Sequence, residues 1–362
     1  MRVLFTCGGT GGHIFPALAV AEAFVKKYGR KIKILFAGSD YGMEKGIIKS
    51  RGFDYAAITA RPFIRKFTLK NLENLFLNMK AVDRATKIIN RFRPDLVYGT
   101  GGFVSFPVML AASRMGIRTA VHEPNMVPGL ANKWLSGKVD RITVGFDETK
   151  KYFPGQKVRV TGNPVRETLF DIKKTKAAKK MKLKAGQKTV LVMPGSRAAK
   201  KINEVLLKAL PLLEKEFKAL QLLWMCGAED YSRLNKEIKN ISGIKIKLFK
   251  FIENAGEAYA VSDAAILRAG ASTLSEIAAV KMPSLLVPYP YAAAHHQEKN
   301  AAVFKKRKLA IVIKDRDLTP GKLVETLKEL LEKNRNRAMR NRLGKIYKSN
   351  SAGKIVEVLA EK

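Results

Sequence analysis

The chain is poor in cysteine, histidine, tryptophan and acids, and each shortage excludes something. Its two cysteines, Cys7 and Cys226, end the apolar runs "VLFTC" and "LLWMC". That placement reads as buried free thiols rather than a disulfide framework or a thiolate metal site. No apolar run approaches the ~18 residues needed to cross a bilayer. The opening "MRVLFTCGG" halts its apolar run at Thr6-Cys7 and turns on glycines, so it lacks the shape of a signal peptide and a cytoplasmic protein is expected. Asp and Glu number 31 against 68 Lys and Arg, a formal charge of +37. Such an excess points to an anionic partner, or equally to a Lys-biased composition whose charge is simply solvated. No nucleic-acid motif or aromatic stacking pattern accompanies the lysines, so nucleic acid is not an expected partner.

What is present is enough apolar sequence, 46% of 362 residues, to bury a sizeable core in two domains. Short apolar runs alternate with amphipathic segments. "RVLFTC", "IKILFAG", "DLVYGT", "TAVHE" and "RITVG" read as strands in the first half, and "TVLVMPG", "LQLLWMCG", "IKLFKFI", "AAILRAG", "SLLVPYP" and "LAIVIK" in the second. This alternation predicts an α/β protein with parallel sheets and helices on both faces. Seven lysines between Lys173 and Lys184 mark a surface connection, which puts the boundary near residue 165. The ending "SAGKIVEVLAEK" predicts a short helix with Ile355, Val358 and Leu359 on one face, which must dock somewhere.

One phrase is written twice: "GGTGGHIFP" at residues 8–16 and "GTGGFVSFP" at 99–107. Each copy runs from a strand through clustered glycines into a helix, with Pro16 or Pro107 near the first turn, where a missing N–H costs nothing. Glycines let backbone approach a ligand, and the amides of a helix start favour anions. The spacing is not G-x-G-x-x-G, so a dinucleotide site is not signalled. A twin-loop cleft at the carboxyl ends of the strands is one reading; two tight turns that only serve topology is the other. All four histidines, His13, His122, His295 and His296, fall at predicted strand-to-helix junctions, which favours a shared site.

Six stretches, "GGTGGHIFPALAVAEAF", "YGTGGFVSFP", "VHEPNMVPGLANKWLS", "VTGNPVR", "FIENAGEAYAVSDAAILRAGASTLSEIAA" and "HHQEKNAAVF", together resemble the MurG family over nearly the whole chain. The resemblance implies a GT-B glycosyltransferase fold, two Rossmann-like domains with parallel sheets facing across a cleft. It implies an acceptor-binding, membrane-associating domain over residues 1–164, a UDP-GlcNAc-binding domain over 165–340, and a C-terminal helix, about 340–362, returning to the first. The implied reaction is an inverting, metal-independent transfer of GlcNAc from UDP-GlcNAc to the muramyl 4-hydroxyl of undecaprenyl-linked lipid I, giving lipid II for peptidoglycan. The implied location is the cytoplasmic face of the bacterial inner membrane, and no cofactor is implied.

Such a displacement needs one base and a means of holding the departing diphosphate, not the carboxylate pair of a glycosidase. By resemblance His13 is the base, and Glu123 orients it or shares the role. Donor binding falls to Thr10, Gly11, Gly12, Asn125, Arg166, Ser196, Ile252, Gln297 and the run Ala271, Ser272, Thr273, Leu274, Ser275 and Glu276, with Ser272 and Thr273 as helix caps and Glu276 as acceptor for ribose hydroxyls. Acceptor binding falls to Gly101, Gly102, Phe103, His122 and Asn132. Without the family, Arg166 reads as well as a hinge ion pair, and Ile252 and Gln297 as plain turn and helix surface.

Two features depart from the family. "PGSRAAKK" has Pro194, Arg197 and Ala198 where a glycine-rich loop is usual, and His296 stands where one branch has glutamine. "DRD" at Asp315–Asp317 imitates a metal-binding D-x-D but reads more simply as a turn or helix cap, so no metal is expected. Residues 61–80 interleave Phe63, Ile64 and Phe67 with cations and continue as a helix showing Leu72 and Phe76. That pattern suits an anionic membrane interface and, equally, core packing. Besides lipid I glycosylation, two other functions fit the sequence: another GT-B activity, on a different glycolipid or as a UDP-sugar epimerase, and a basic binding protein supported by charge alone. The "HEPN" segment and the acceptor-side glycine loop argue against the epimerase.

Overall fold

The computed structural model describes residues 1–9, 11–42, 44–61, 70–170, 172–184, 186–195 and 200–361, without the side chains of 70–73, 75, 76 and 293. It divides into two units, Met1–Val165 with Lys348–Lys362, and Arg166–Tyr347.

The first unit is a seven-stranded parallel sheet: β1 (Arg2–Thr6), β2 (Lys33–Ser39), β3 (Asp54–Ile58), β4 (Leu96–Gly99), β5 (Thr119–Glu123), β6 (Arg141–Val144) and β7 (Val158–Val160), in the order β3-β2-β1-β4-β5-β6-β7. β1, β4 and β5 are buried almost throughout because helices cover both faces of the sheet, as parallel sheets require. Phe5 anchors one face, stacked on Phe36 at 5.0 Å and edge-on to Phe24 and Tyr98. Helix Ser351–Ala360 adds Ile355, Val356 and Leu359 to that same core cluster. Each buried side chain of this size contributes about 1.5–3 kcal/mol. Val358 is buried as well, so the apolar face read from "SAGKIVEVLAEK" is covered.

The second unit repeats the plan with six parallel strands: β8 (Lys188–Met193), β9 (Leu220–Met225), β10 (Ile244–Phe249), β11 (Ala264–Leu267), β12 (Ser284–Leu286) and β13 (Ile311–Val312), in the order β10-β9-β8-β11-β12-β13. In both sheets the order reverses at the first strand of the unit. Ligands of doubly wound sheets bind outside the carboxyl ends of the strands at that switch point. In the first unit the loops there follow β1 and β4, and these are the two copies of the repeated phrase. In the second they follow β8 and β11, which end in "MPGSRAAK" and "LRAGAST".

Two strands went unread in the sequence. β3, "DYAAI", and β7, "VRV", are the edges of their sheet, half exposed and too short to carry a pattern. Pro107 is the third residue of helix Ser105–Arg114, as its N–H logic demands, whereas Pro16 is the sixth residue of helix Gly11–Tyr28 and removes an intrahelical bond to the Gly12 carbonyl.

Candidate active site

The two glycine loops of the first unit are built against each other. Gly102 has φ +90, and a Cβ placed on it would stand 2.3 Å from the Gly8 carbonyl oxygen. Gly101 has φ +97, and its Cβ would stand 3.0 Å from His13 Cε1 and 3.6 Å from Asn132 Nδ2. One glycine therefore admits the other loop's backbone and its neighbour admits an imidazole. His13 Nδ1 lies 2.8 Å from the Thr100 carbonyl oxygen, and Thr100 Oγ1 donates back to the His13 carbonyl at 2.7 Å. A carbonyl only accepts, so the neutral ring carries its proton on Nδ1 and Nε2 is its basic nitrogen. Phe103 belongs to the second loop and lines the Cα side of Gly9. Gly11 and Gly12 open the first helix.

His122 and Glu123 end β5 beneath these loops, both buried. Glu123 Oε1 accepts from the Asn125 backbone and side chain at 2.9 and 3.0 Å, and Oε2 from the Gly129 amide and Asn132 Nδ2 at 3.0 and 2.9 Å. Burial pushes its pKa up while these four donors oppose the shift. All four come from residues 125–132, so the structure shows Glu123 organising its own loop, and the group that orients His13 is the Thr100 carbonyl. Asn132 also donates to the His122 carbonyl, at 3.0 Å.

His122 Nδ1 meets Thr143 Oγ1 at 3.0 Å, and Nε2 meets Asn163 Oδ1 at 2.8 Å. Asn163 Nδ2 donates to the Pro124 carbonyl, which fixes Oδ1 toward the ring and the imidazole proton on Nε2. Burial is the main force that lowers the His122 pKa to about 4. The native state thus refuses a proton that the unfolded chain takes up as pH falls below its ordinary value of 6.5. Stability should fall as pH drops from about 6.5 to about 4, by about 3 kcal/mol from this group, and change no further below that window. Urea midpoints at pH 7, 5 and 4 should show a shallower acid loss in His122→Gln; the same slope in both proteins would refute this.

In the second unit the loop after β11 carries Arg268, Ala269 and Gly270 into helix Ala271–Ala279. Gly270 is the N-cap at φ −69, ψ 147, a conformation open to any residue, so the turn itself does not need glycine. The N-cap residue of this helix is a glycine and offers no side chain; Ser272 Oγ is buried without a partner among the described residues, and Ser275 Oγ donates to the Ala271 carbonyl. Ser272 and Thr273, expected as caps, lie inside the first turn rather than at the cap position, which Gly270 occupies. Leu274 is core. Glu276 Oε1 accepts from Arg166 Nη2 at 2.8 Å and Nε at 3.3 Å, and Oε2 from the Tyr259 hydroxyl at 3.3 Å. Burial first, then the Glu276 charge, drives the Tyr259 pKa upward.

Gln297 Oε1 accepts from the Ala269 and Tyr289 amides at 3.2 and 2.9 Å, tying together the chain beyond β11 and β12. Just before it, Ala294 and His295 both hold the left-handed conformation at φ 58 and 51, which costs an L-residue about 1–2 kcal/mol each. Ile252 is buried and donates its N–H to Met225 Sδ, so the backbone group it can present to a base is its carbonyl. Thr10, Ser196, Phe63, Ile64 and Phe67, and the side chains of Leu72 and Phe76, lie outside the described residues.

Sequence reasoning missed Arg268. It is buried, ion-paired to Asp315, bonded to the Val287 carbonyl at 3.1 Å and placed over the Tyr289 ring. Burial lowers its pKa and Asp315 opposes that. An arginine ending an apolar strand was the available signal; its partner lies 47 residues away. Asp315 is therefore the partner of an arginine, and the helix after "DRD" is capped by Thr319, whose Oγ1 accepts from the Lys322 amide. Among the described residues no three His, Cys, Asp or Glu side chains form a metal-binding group, and no helix is long and apolar enough to cross a membrane.

Two doubly wound units, each with helix-opening loops at its switch point, have the layout of the GT-B class of glycosyltransferase folds. The glycosyltransferase family 28 N-terminal domain matches residues 3–144, and the family 28 C-terminal domain matches residues 189–357. The UDP-N-acetylglucosamine--N-acetylmuramyl-(pentapeptide) pyrophosphoryl-undecaprenol N-acetylglucosamine transferase of Halothermothrix orenii is 38% identical over the whole of both chains. The enzyme of the same name from a Thermoanaerobacter species is 38% identical over 99% of each chain. The crystal structure of Acinetobacter baumannii MurG superposes with a TM-score of 0.79 at 28% identity, covering 99% of this chain and 98% of that one. The chain belongs to the MurG family.

Proposed function

We propose that this protein transfers N-acetylglucosamine from UDP-N-acetylglucosamine to the 4-hydroxyl of the muramyl sugar of lipid I, releasing UDP and forming lipid II, with inversion and without a metal ion. The observation that carries this is the His13 imidazole, held at Nδ1 by the Thr100 carbonyl on a glycine loop at a helix start. His13 Nε2 takes the proton of the attacking hydroxyl as the new C–O bond forms and the bond to UDP breaks. The charge that then develops on the departing diphosphate is met by the first amides of helix Ala271–Ala279 and by Arg166, which Glu276 holds ready. The first unit takes the acceptor, with Gly101, Gly102 and Phe103 along its loops, and the second takes the donor nucleotide, with Ile252 and Gln297 at its edges. The test is product formation from UDP-GlcNAc and a short-chain lipid I analogue in EDTA. Disaccharide product that needs the acceptor and survives chelation is expected; UDP binding without product would refute the acceptor.

An undecaprenyl-linked acceptor lies in a bilayer, so the protein works at the cytoplasmic membrane face. Among the described residues Trp134 and Leu130 fit such contact: they are 71% and 60% exposed on one helix, beside the exposed cations Lys133 and Lys138. The only other tryptophan, Trp224, is fully buried. Emission of Trp134 should shift to the blue on anionic phosphatidylglycerol vesicles, and Trp134→Phe should abolish the shift. Unchanged emission from vesicle-bound protein would remove this surface from the account.

A further inference from the structure

Arg61 is a half-buried arginine that the first unit holds still. It follows β3, and Asn78 of helix Lys70–Phe92 pins its backbone from both sides, accepting from its N–H at 3.0 Å and donating to its carbonyl at 3.0 Å. Nη1 donates to the Ala60 carbonyl at 3.0 Å, and the guanidinium carbon sits 4.3 Å from the centre of the Tyr41 ring. Tyr41, 56% exposed, is also stacked on Phe103 at 6.2 Å with the rings 18° apart. Phe103 belongs to the second glycine loop, so the three side chains form a layered rim running outward from the candidate active site.

Fixing an arginine sacrifices rotamer freedom that exposed pairs return poorly. The partner that steers it does not use it up. Asp40 Oδ1 stands 3.6 Å from Nη1, beyond hydrogen-bond length, and Asp40 Oδ2 already accepts from Thr59 Oγ1 at 2.7 Å. Among the described residues Nη2 and Nε of Arg61 make no hydrogen bond. A preorganised guanidinium edge with unused parallel donors matches the two oxygens of a carboxylate.

We propose that Arg61, seated on Tyr41, binds a carboxylate of the peptide carried by the acceptor. This rests on the acceptor assigned above. Helix-start amides at the glycine loops suit the diphosphate, whereas a peptide ends in a carboxylate. Five residues reach up to about 18 Å when extended, enough to pass from the sugar to a rim one aromatic pair beyond the loops. The site would select acceptors by the charge at the far end of their peptide.

The test compares two acceptor analogues that differ only in whether the peptide carboxylates are free or amidated, against wild type, Arg61→Gln and Arg61→Lys. In Arg61→Gln, KM and calorimetric Kd for the free acid should rise about tenfold with kcat within twofold, and values for the amide should match wild type. Arg61→Lys, which keeps the charge but loses the fork, should fall between. Equal losses on both acceptors would place Arg61 against the diphosphate or in the fold and overturn the proposal, as would no change on either. Calorimetry decides the matter without turnover: acceptors that bind but yield no product would sink the transferase reading alone, and failure of wild type to bind either acceptor would sink both.

Discussion

Replacing Gly102 with alanine is expected to cost the first unit about 2–5 kcal/mol. Two terms add. An alanine at φ +90 pays about 1–2 kcal/mol for the left-handed region. Its methyl group would also lie 2.3 Å from the Gly8 carbonyl oxygen, a backbone atom that no rotamer change can move, and relieving such overlap by backbone shifts costs about 1–3 kcal/mol more. Against a total stability of about 5–15 kcal/mol this is severe, and the unfolding midpoint should drop by about 10 °C. Gly101→Ala is the informative comparison. Its neighbour is the His13 ring rather than backbone, so it should lose less stability and proportionately more activity. A wild-type midpoint for Gly102→Ala, by scanning calorimetry, would mean that the two loops do not meet as described.

His13→Ala should lower kcat by about 10² to 10⁴, the usual contribution of a positioned base, equivalent to about 3–5 kcal/mol of barrier. The pattern of losses matters as much as their size. UDP affinity should be unchanged, because the donor groups named here, Arg166, Glu276 and Gln297, belong to a separate unit with its own core. The acid limb of the kcat profile, where protonation of Nε2 would silence the base, should disappear in the variant. A variant that keeps that limb, or loses UDP binding along with turnover, would show that His13 is not the base.

The core strands and the switch-point loops could be read from the sequence because each is a local pattern. β1, β4 and β8 are continuous apolar runs that stop at glycine, and the repeated Thr-Gly-Gly advertised two equivalent corners. The edges β3 and β7 could not be read, since half-exposed strands of five and three residues carry no distinctive period. Partners distant in sequence were equally hidden. Nothing near Arg268 announces Asp315, nothing near Arg61 announces Tyr41 or Asn78, and His122 and Glu123 looked like ligand groups until their bonds to Thr143, Asn163, Asn125 and Asn132 were in view. Histidines and carboxylates at strand ends signal a site; which of them face a ligand and which brace the loops depends on neighbours that the fold alone supplies.

Helix Ser351–Ala360 belongs to the first core, yet about 180 residues separate it from Val165, where the rest of that unit ends. At the usual 5–20 residues per second a ribosome needs on the order of 10–40 s to make the intervening stretch. During that interval the emerging first unit lacks Ile355, Val356 and Leu359 and exposes the apolar surface they cover. The second unit is contiguous, Arg166–Tyr347, and can close as soon as it emerges. Birth order and completion order are therefore inverted in this chain: the half that is synthesised first must wait, incomplete and in need of protection, for the half that is synthesised second.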